Sequence, residues 1–324
     1  MGVSTNAGET YDHTTIREDI HDALISITPS ETPFMSAIGT RDVDSVNPEW
    51  VEVDLASVDT SNYVIEGESA PGNDAPTTGK RLSNYTQLSD KVVEVSSTAQ
   101  AVNGVGDVQT IGKQMYFKMK ELKRDMEQML AGVNNAAVAG SSGTARETAS
   151  LSAFMITNTK RGSGGANPTL SGTTAGYPDA AATDGTLRAI SEDTFNELVA
   201  DCWDAGAEPS MVLCGSALKQ KMSGTFTGVN TRYVDAGDKT LSRAVDFYVS
   251  DFGELTIVPS RFVRSRDIFV LDPSMARVGY LQKTKQVPLA KTGHADRKMI
   301  SCEYALIVDS EAAHGHYADL NASL

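Results

Sequence analysis

The most informative stretch of the chain is residues 111–133, IGKQMYFKMKELKRDMEQMLAGV. Its apolar residues recur every three or four positions, which is the spacing of one face of an α-helix: Ile111, Met115, Met119, Leu122, Met126, Met129 and Val133. The pattern predicts a helix from about Gly106 to about Asn134. At about 1.5 Å per residue it would be roughly 44 Å long. We expect its apolar stripe to pack in the core and its opposite, lysine-rich face to be polar.

Composition places limits on the kind of protein this is. The 324 residues are 40% hydrophobic and 22% charged, enough apolar material for one large or two modest domains. The formal net charge of −14 argues against binding nucleic acid through bulk positive charge. The three cysteines form no CxxC pair, so we expect neither disulfides nor a zinc ribbon. The chain has no signal-peptide pattern and no apolar run of about 20 residues, so we expect no signal-directed export and no membrane span.

The acidic charge is concentrated before the predicted helix. Val51, Val53 and Leu55 alternate with acids, and residues 92–95 (VVEV) form a second strand pattern, which together predict one long hairpin with a turn-rich tip. A segment this acidic and this poor in apolar residues would not bury itself well, so we expect it either to be loosely ordered or to lie on a basic surface. Between positions 42 and 79 there is no lysine or arginine but nine acids: Asp42, Asp44, Glu49, Glu52, Asp54, Asp59, Glu66, Glu68 and Asp74.

The other segments predict a mixed α+β fold. Residues 16–27 have helical spacing, and the two prolines of residues 28–34 then predict an extended arm. Residues 140–186 are rich in glycine and serine and predict a loop. Ser191 is a candidate N-cap for a helix reaching about Ala205. Further elements are predicted as a helix at 216–222 and strands at 211–214, 244–250, 255–259, 268–272, 278–281 and 300–308.

No pattern predicts catalysis, a cofactor or a metal ion. Residues 314–316 (HGH) would put two imidazoles on one face of a strand, but no acid or cysteine has a metal-ligand spacing to them. The HExxH and GxSxG signatures are absent. Residues 289–293 (LAKTG) lack the glycine-rich part of a phosphate-binding loop, and residues 104–106 carry only part of a dinucleotide motif.

Two interpretations of the basic residues remain open. They could line a nucleic-acid groove, or they could receive the acidic hairpin of a neighbouring copy. We favour the second because the hairpin needs a basic partner and the chain is acidic overall. The predicted intersubunit contact comprises Asp54, Asp59, Glu66, Glu68, Asp74, Lys80, Lys113, Lys120, Arg124, Arg261, Arg264 and Arg266.

The order of arm, acidic hairpin, long helix, α/β region and closing strands resembles the major capsid proteins of tailed viruses with the Hong Kong 97-type fold. Five stretches are similar to the branch of SU10-like major capsid proteins: residues 27–34 (ITPSETPF), 121–127 (ELKRDME), 250–253 (SDFG), 289–293 (LAKTG) and 311–315 (EAAHG). The resemblance implies an N-terminal arm (1–40), an extended β-hairpin loop (41–98), a spine helix of the peripheral domain (99–140), an axial α/β domain (141–262) and closing strands of the peripheral domain (263–324).

The resemblance also implies a function by assembly. Subunits would form pentamers and hexamers of an icosahedral virion head, put together in the host cytoplasm around double-stranded DNA that is not read by sequence. Ring contacts would be head-to-tail, with the hairpin reaching over a neighbour. Implied partners are the chain itself and portal, decoration and scaffolding proteins, with no membrane. The alternatives are a hydrolase built on residues 190–320 and a soluble nucleic-acid-binding module.

Overall fold

The computed structural model describes residues 31–67, 69, 75–102, 108–172, 175–226 and 247–323, and the predicted helix at 16–27 lies outside them. The helices are α1 (Pro33–Ala37), α2 (Ser97–Ala101), α3 (Ile111–Glu127), α4 (Leu151–Phe154), α5 (Glu192–Asp204) and α6 (Ser216–Thr225). The strands β1 to β14 are, in chain order, Gly39–Asp42, Glu49–Val53, Gly79–Ser83, Gln87–Ser96, Thr159–Lys160, Thr169–Leu170, Pro178–Ala180, Met211–Cys214, Phe247–Ser250, Gly253–Pro259, Ile268–Leu271, Ala276–Pro288, Ala295–Val308 and Gly315–Tyr317.

The predicted long helix is present but shorter than expected. It begins after Thr110, whose hydroxyl accepts a hydrogen bond from the Lys113 backbone N–H, and a π-helical turn (Gln128–Gly132) follows α3. The helical segment is therefore about 33 Å long rather than 44 Å. Met115, Leu122 and Met126 of the apolar stripe are buried. Met119 is 39% exposed, so the stripe is not buried along its whole length.

One four-stranded sheet, in the order β1-β12-β13-β4, packs against α3. The predicted single hairpin is wrong in its pairing. Val51 in β2 lies opposite Arg81 in β3, whereas Val93 in β4 lies opposite Lys298 in β13. Local alternation marks each strand, but the choice of partner depends on the long apolar face of β13, which is distant in sequence.

A second sheet has six strands in the order β5-β14-β11-β8-β10-β9. Its central strands are buried on both faces, which explains their uninterrupted apolar sequences. Met211 and Leu213 of β8 point into a core shared with α3, while Val212 and Cys214 point into a separate core with α5 and α6. The predicted helices and strands of this region are therefore confirmed, apart from residues 244–246, which lie outside the described residues.

Three sequence-based expectations need correction here. The predicted boundary between 262 and 263 does not separate the sheets, because β11 and β14 join the six-stranded sheet while β12 and β13 join the four-stranded one. Residues 140–186 are more than a loop, since they include α4, with Leu151 and Phe154 in the core, and strands β5 to β7. Ser191 occupies the N-cap of α5 without a side-chain cap; its backbone N–H donates to the Tyr317 hydroxyl at 3.0 Å.

Candidate subunit interface

The segment after β2 presents apolar side chains to solvent. Contrary to the expectation of an apolar-poor hairpin, β2 and the segment that follows it expose seven large apolar residues: Val51, Val53, Leu55, Val58, Tyr63, Val64 and Ile65. Leu55 and Val58 are 86% and 90% exposed. Monomeric proteins rarely keep a run of this kind uncovered, and such patches mark interaction sites. The segment therefore has the character of a surface that another chain covers.

The base of this segment is held firmly by the subunit. On the inner face of the β2–β3 pair, Trp50 and Leu82 are buried, and the Trp50 ring lies 6.1 Å from that of Phe154. The buried side-chain amide of Asn84 donates to the Leu306 carbonyl at 2.7 Å and to the Thr148 hydroxyl at 3.0 Å. Its oxygen accepts from two backbone N–H groups. With its hydrogen-bonding capacity filled, Asn84 ties the end of β3 to β13.

Several acids of the loop already have partners in the same subunit. Asp54 lies 2.5 Å from Lys80, at the base of the loop, and Asp42 lies 2.8 Å from Lys283. The hydrogen bond to Asp54 raises the pKa of Lys80. Pairs this exposed contribute little to stability, but they lower the charge that a neighbour would have to neutralise. The acidic loop was expected to find its basic partners on a neighbouring chain, but Asp54 and Asp42 find theirs within the same subunit.

The remaining predicted acids differ in their surroundings. Asp59 is exposed and accepts a hydrogen bond from the Ser61 backbone N–H at 2.7 Å, which shapes a turn in the loop. Glu66 is exposed. Glu68 and Asp74 lie outside the described residues. Asp59 and Glu66 therefore stay as acids that a neighbour could contact.

The predicted basic residues on the spine helix are partly engaged by aromatic rings. Lys120 lies 4.5 Å from the centre of the Tyr116 ring, and its hydrogen bond and charge lower the pKa of that phenol. The Arg124 guanidinium lies 5.9 Å from the centre of the Phe262 ring. Lys113 is half-buried and Arg261 is exposed. Lys113, Lys120, Arg124 and Arg261 stay as predicted contacts.

Arg264 and Arg266 were predicted to meet a neighbour's acids, but the structure places them in ion pairs inside the subunit. Arg264 lies 2.5 Å from Asp184, and Arg266 lies 2.5 Å from Asp319. The fully buried Asp319 carboxylate also accepts from the Gly162 and Gly185 backbone N–H groups, both at 2.9 Å. Burial opposes its ionisation, but these donors outweigh burial and lower its pKa. The two arginines thus hold together chain segments that are distant in sequence.

The paired histidines near the C-terminus are core residues. His314 accepts a hydrogen bond from the Asp272 backbone N–H at Nδ1, and burial lowers its pKa to about 4. The His316 ring stacks on Phe269 with centres 4.6 Å apart, and burial also lowers its pKa. No group of three or more histidines, cysteines or acids among the described residues is arranged to hold a metal ion.

The cysteines are also part of the packing. All three are free and buried, and burial raises the pKa of Cys202 and Cys214 to about 12 and that of Cys302 to about 11. Thiols with raised pKa values are poor nucleophiles at neutral pH.

In the part of the chain that the structure describes, no helix is both long and apolar enough to cross a membrane.

Sequence reasoning missed the polar residues that matter most for positioning. Asn84, Glu127 and Asp319 are each fully buried and bonded to segments far away in the chain. Glu127 lies within the stretch 121–127 that carried the family resemblance, but its spacing on the helix does not reveal its partner. The property that distinguishes these three residues is their burial, and burial is known only once the tertiary structure is known.

A helix packed on a four-stranded sheet, a second sheet with its own helices and a projecting loop (residues 51–67) together form the fold of Hong Kong 97-type capsid proteins. The capsid asymmetric unit of Cyanophage A-1(L) aligns with a TM-score of 0.65 at 13% identity, covering 96% of this chain and 98% of that one. A structure from Mycobacterium phage Cain aligns with a TM-score of 0.60 at 11% identity, covering 94% and 95%.

The sequence model of the SU10 major capsid protein matches residues 3–321, and the chain belongs to that family. The major capsid protein of Escherichia phage Phieco32 is 26% identical in an alignment that covers 86% of this chain and 87% of that protein. The expected family and fold are thus confirmed. The chain is a structural protein of the virion shell, which it builds by self-association.

Proposed function

We propose that the chain forms pentamers and hexamers that close into an icosahedral head around double-stranded DNA, with assembly in the host cytoplasm. The observation that carries the proposal is the family match across residues 3–321, together with a capsid fold that covers nearly the whole chain. Portal, decoration and scaffolding proteins would be its other partners. A shell wall encloses DNA without reading its sequence, so a subunit with a net charge of −14 suits the role.

The contact between subunits would be made by the projecting loop. Its exposed apolar residues, from Val51 to Val64, present on the order of 600 Å² of surface, close to the roughly 800 Å² per partner of a stable interface. We assign the centre of the contact to these side chains. Asp59 and Glu66 would lie at its rim, facing basic residues of the next subunit: Lys113, Lys120, Arg124 and Arg261.

The alternative functions have less support. For a hydrolase, His314, His316 and the three cysteines are not accessible as nucleophile or base, because they are buried in the core. Two of the basic side chains that a nucleic-acid groove would use, Arg264 and Arg266, are bound to aspartates within the subunit. The structural, non-enzymatic role of the family agrees with both observations.

Electron microscopy of the purified protein tests the proposal directly. The protein should be produced alone and brought to assembly conditions over a range of concentration and salt. We expect rings, closed shells or sheets with five- and six-fold clusters. A folded, monodisperse monomer under all these conditions would contradict the proposed self-assembly.

A further inference from the structure

A buried carboxylate joins the start of the described chain to the end of α3. The side chain of Glu127 is fully buried, and its two oxygens accept hydrogen bonds from the backbone N–H groups of Phe34 and Met35 at 2.8 and 2.9 Å. The partners are 93 and 92 residues away in sequence. One side chain of the spine helix therefore holds α1 by its backbone.

The sequence of α1 explains why it needs this acceptor. Its first residue, Pro33, has no N–H, and Thr32 at the N-cap makes no side-chain hydrogen bond. The Ser36 N–H reaches the Thr32 carbonyl at 3.0 Å. The first-turn donors of Phe34 and Met35 thus lack a local acceptor, and Glu127 supplies one oxygen for each. Because the Phe34 side chain is itself fully buried, α1 is held by packing and hydrogen bonds together.

The charge of Glu127 depends on these two donors. The charged residues beside it on α3 are engaged elsewhere: Arg124 lies over the Phe262 ring, and Asp125 lies 2.6 Å from Lys91. Residues 33–37 of α1 (PFMSA) contain no titratable side chain. Burial raises the pKa of Glu127, and the hydrogen bonds from Met35 and Phe34 oppose that rise. Loss of either donor would leave a poorly compensated buried charge.

We propose that Glu127 is the positioning residue of the N-terminal arm: it fixes residues 33–37 to the C-terminal end of the spine helix. The attachment fixes where α1 lies on the subunit, and we expect this position to affect particle size and shape, a consequence that rests on the proposed assembly. The regular helix ends at this residue and passes into the π-helical turn, an irregularity that is frequent at functional sites.

The test is amide hydrogen exchange on the full chain carrying Glu127→Gln. The substitution keeps the size of the side chain but turns one acceptor into a donor that faces an N–H group. We expect the amides of Phe34 and Met35 to exchange about tenfold faster or more, while β8 keeps its protection. Glu121→Gln is the matched control, because it makes the same change on the same helix at a residue that contacts Lys118.

Equal exchange of residues 34–35 in the two variants would overturn the proposal. If Glu127→Gln does not fold, amide exchange of the unaltered protein is measured as a function of pH instead, and its result tests the proposal. The two N–H donors lower the pKa of Glu127 relative to a detached state in which the carboxylate stays buried without them, so acidification favours detachment of α1. After correction for intrinsic rates, protection of residues 34–35 must therefore fall on acidification before that of β8; parallel loss would overturn the proposal.

Particle images of the two variants then test the consequence for assembly. We expect Glu127→Gln, but not Glu121→Gln, to give particles of altered size or shape. Faster exchange with unchanged particles would overturn the expected effect of the anchor on particle size and shape. Absence of particles from the unaltered protein would instead contradict the proposed self-assembly, so the two failures are distinguishable.

Discussion

Replacing two apolar side chains of the projecting loop should strongly weaken assembly without destabilising the subunit. The change is the double substitution Leu55→Ser and Val58→Ser. Both side chains are almost fully exposed in the isolated subunit. They contribute little to folding for that reason, and the free energy of unfolding should change by less than about 0.5 kcal/mol.

The effect on the contact between subunits should be large. Burying an aliphatic side chain of this size stabilises an interface by about 1.5–3 kcal/mol. The two substitutions together should cost roughly 3–6 kcal/mol per contact, and each 1.4 kcal/mol is a factor of about ten in affinity. The concentration at which shells appear should therefore rise by at least about a hundredfold.

The matched control is the pair Asp59→Asn and Glu66→Gln, which removes two exposed charges from the same loop. Exposed ion pairs contribute about 1 kcal/mol or less each, so this variant should shift the assembly threshold much less. Light scattering against protein concentration measures the threshold, and thermal melting of the unassembled subunit shows that both variants are folded.

A reversed order of effects would refute the reasoning. If the charge variant lost assembly while the serine variant kept it, the contact would be ionic rather than apolar. Salt gives an independent result: an ionic contact weakens as ionic strength rises, whereas an apolar contact does not. If the protein concentration needed for assembly rose steeply with added sodium chloride, the contact would again be ionic rather than apolar.

Three further predictions concern the buried polar residues of the unassembled subunit. His314 has a pKa of about 4 when folded and about 6.5 when unfolded, so the unfolded state binds more protons on acidification and stability should fall by about 3 kcal/mol between pH 6.5 and pH 4. Denaturant unfolding at pH 6.5 and pH 4 measures this fall, and an equal free energy of unfolding at both values would contradict it. Asp319→Ala should destabilise the subunit by about 2–4 kcal/mol by leaving buried donors unpaired, whereas Asp179→Ala, at an exposed position, should change thermal melting little. Asn84→Ala should cost about 2–4 kcal/mol and speed amide exchange of β3, and an unchanged melting temperature would show that its four hydrogen bonds are replaced.

Local periodicity predicted the elements whose environment repeats along the chain. The three-to-four spacing from Ile111 onward marked the spine helix, and the uninterrupted apolar run of residues 211–214 marked a strand buried on both faces. Such patterns report which side of an element faces the core. The family resemblance added what periodicity does not carry, namely the order of arm, loop, helix and sheets, and with it the capsid fold.

Partner choice was the main source of error. Charge counting assigned Arg264 and Arg266 to a neighbouring subunit, but the fold brings Asp184 and Asp319 to them from distant parts of the chain. The same limit applies to β4, which was paired with β2 because both alternate, although β13 is its partner. Charges and strand edges have many compatible partners in a sequence, and only folding selects one.

The sequence by itself determined the spine helix, the buried strands of the α/β region and the lack of a catalytic motif, because each depends on the type and spacing of nearby residues. The tertiary structure alone decided which strands share a sheet, that the loop exposes apolar side chains around Leu55, and that Glu127 holds the arm at Phe34. These features are contacts across tens to hundreds of residues. Their free energy depends on burial and distance in space, which local patterns do not contain.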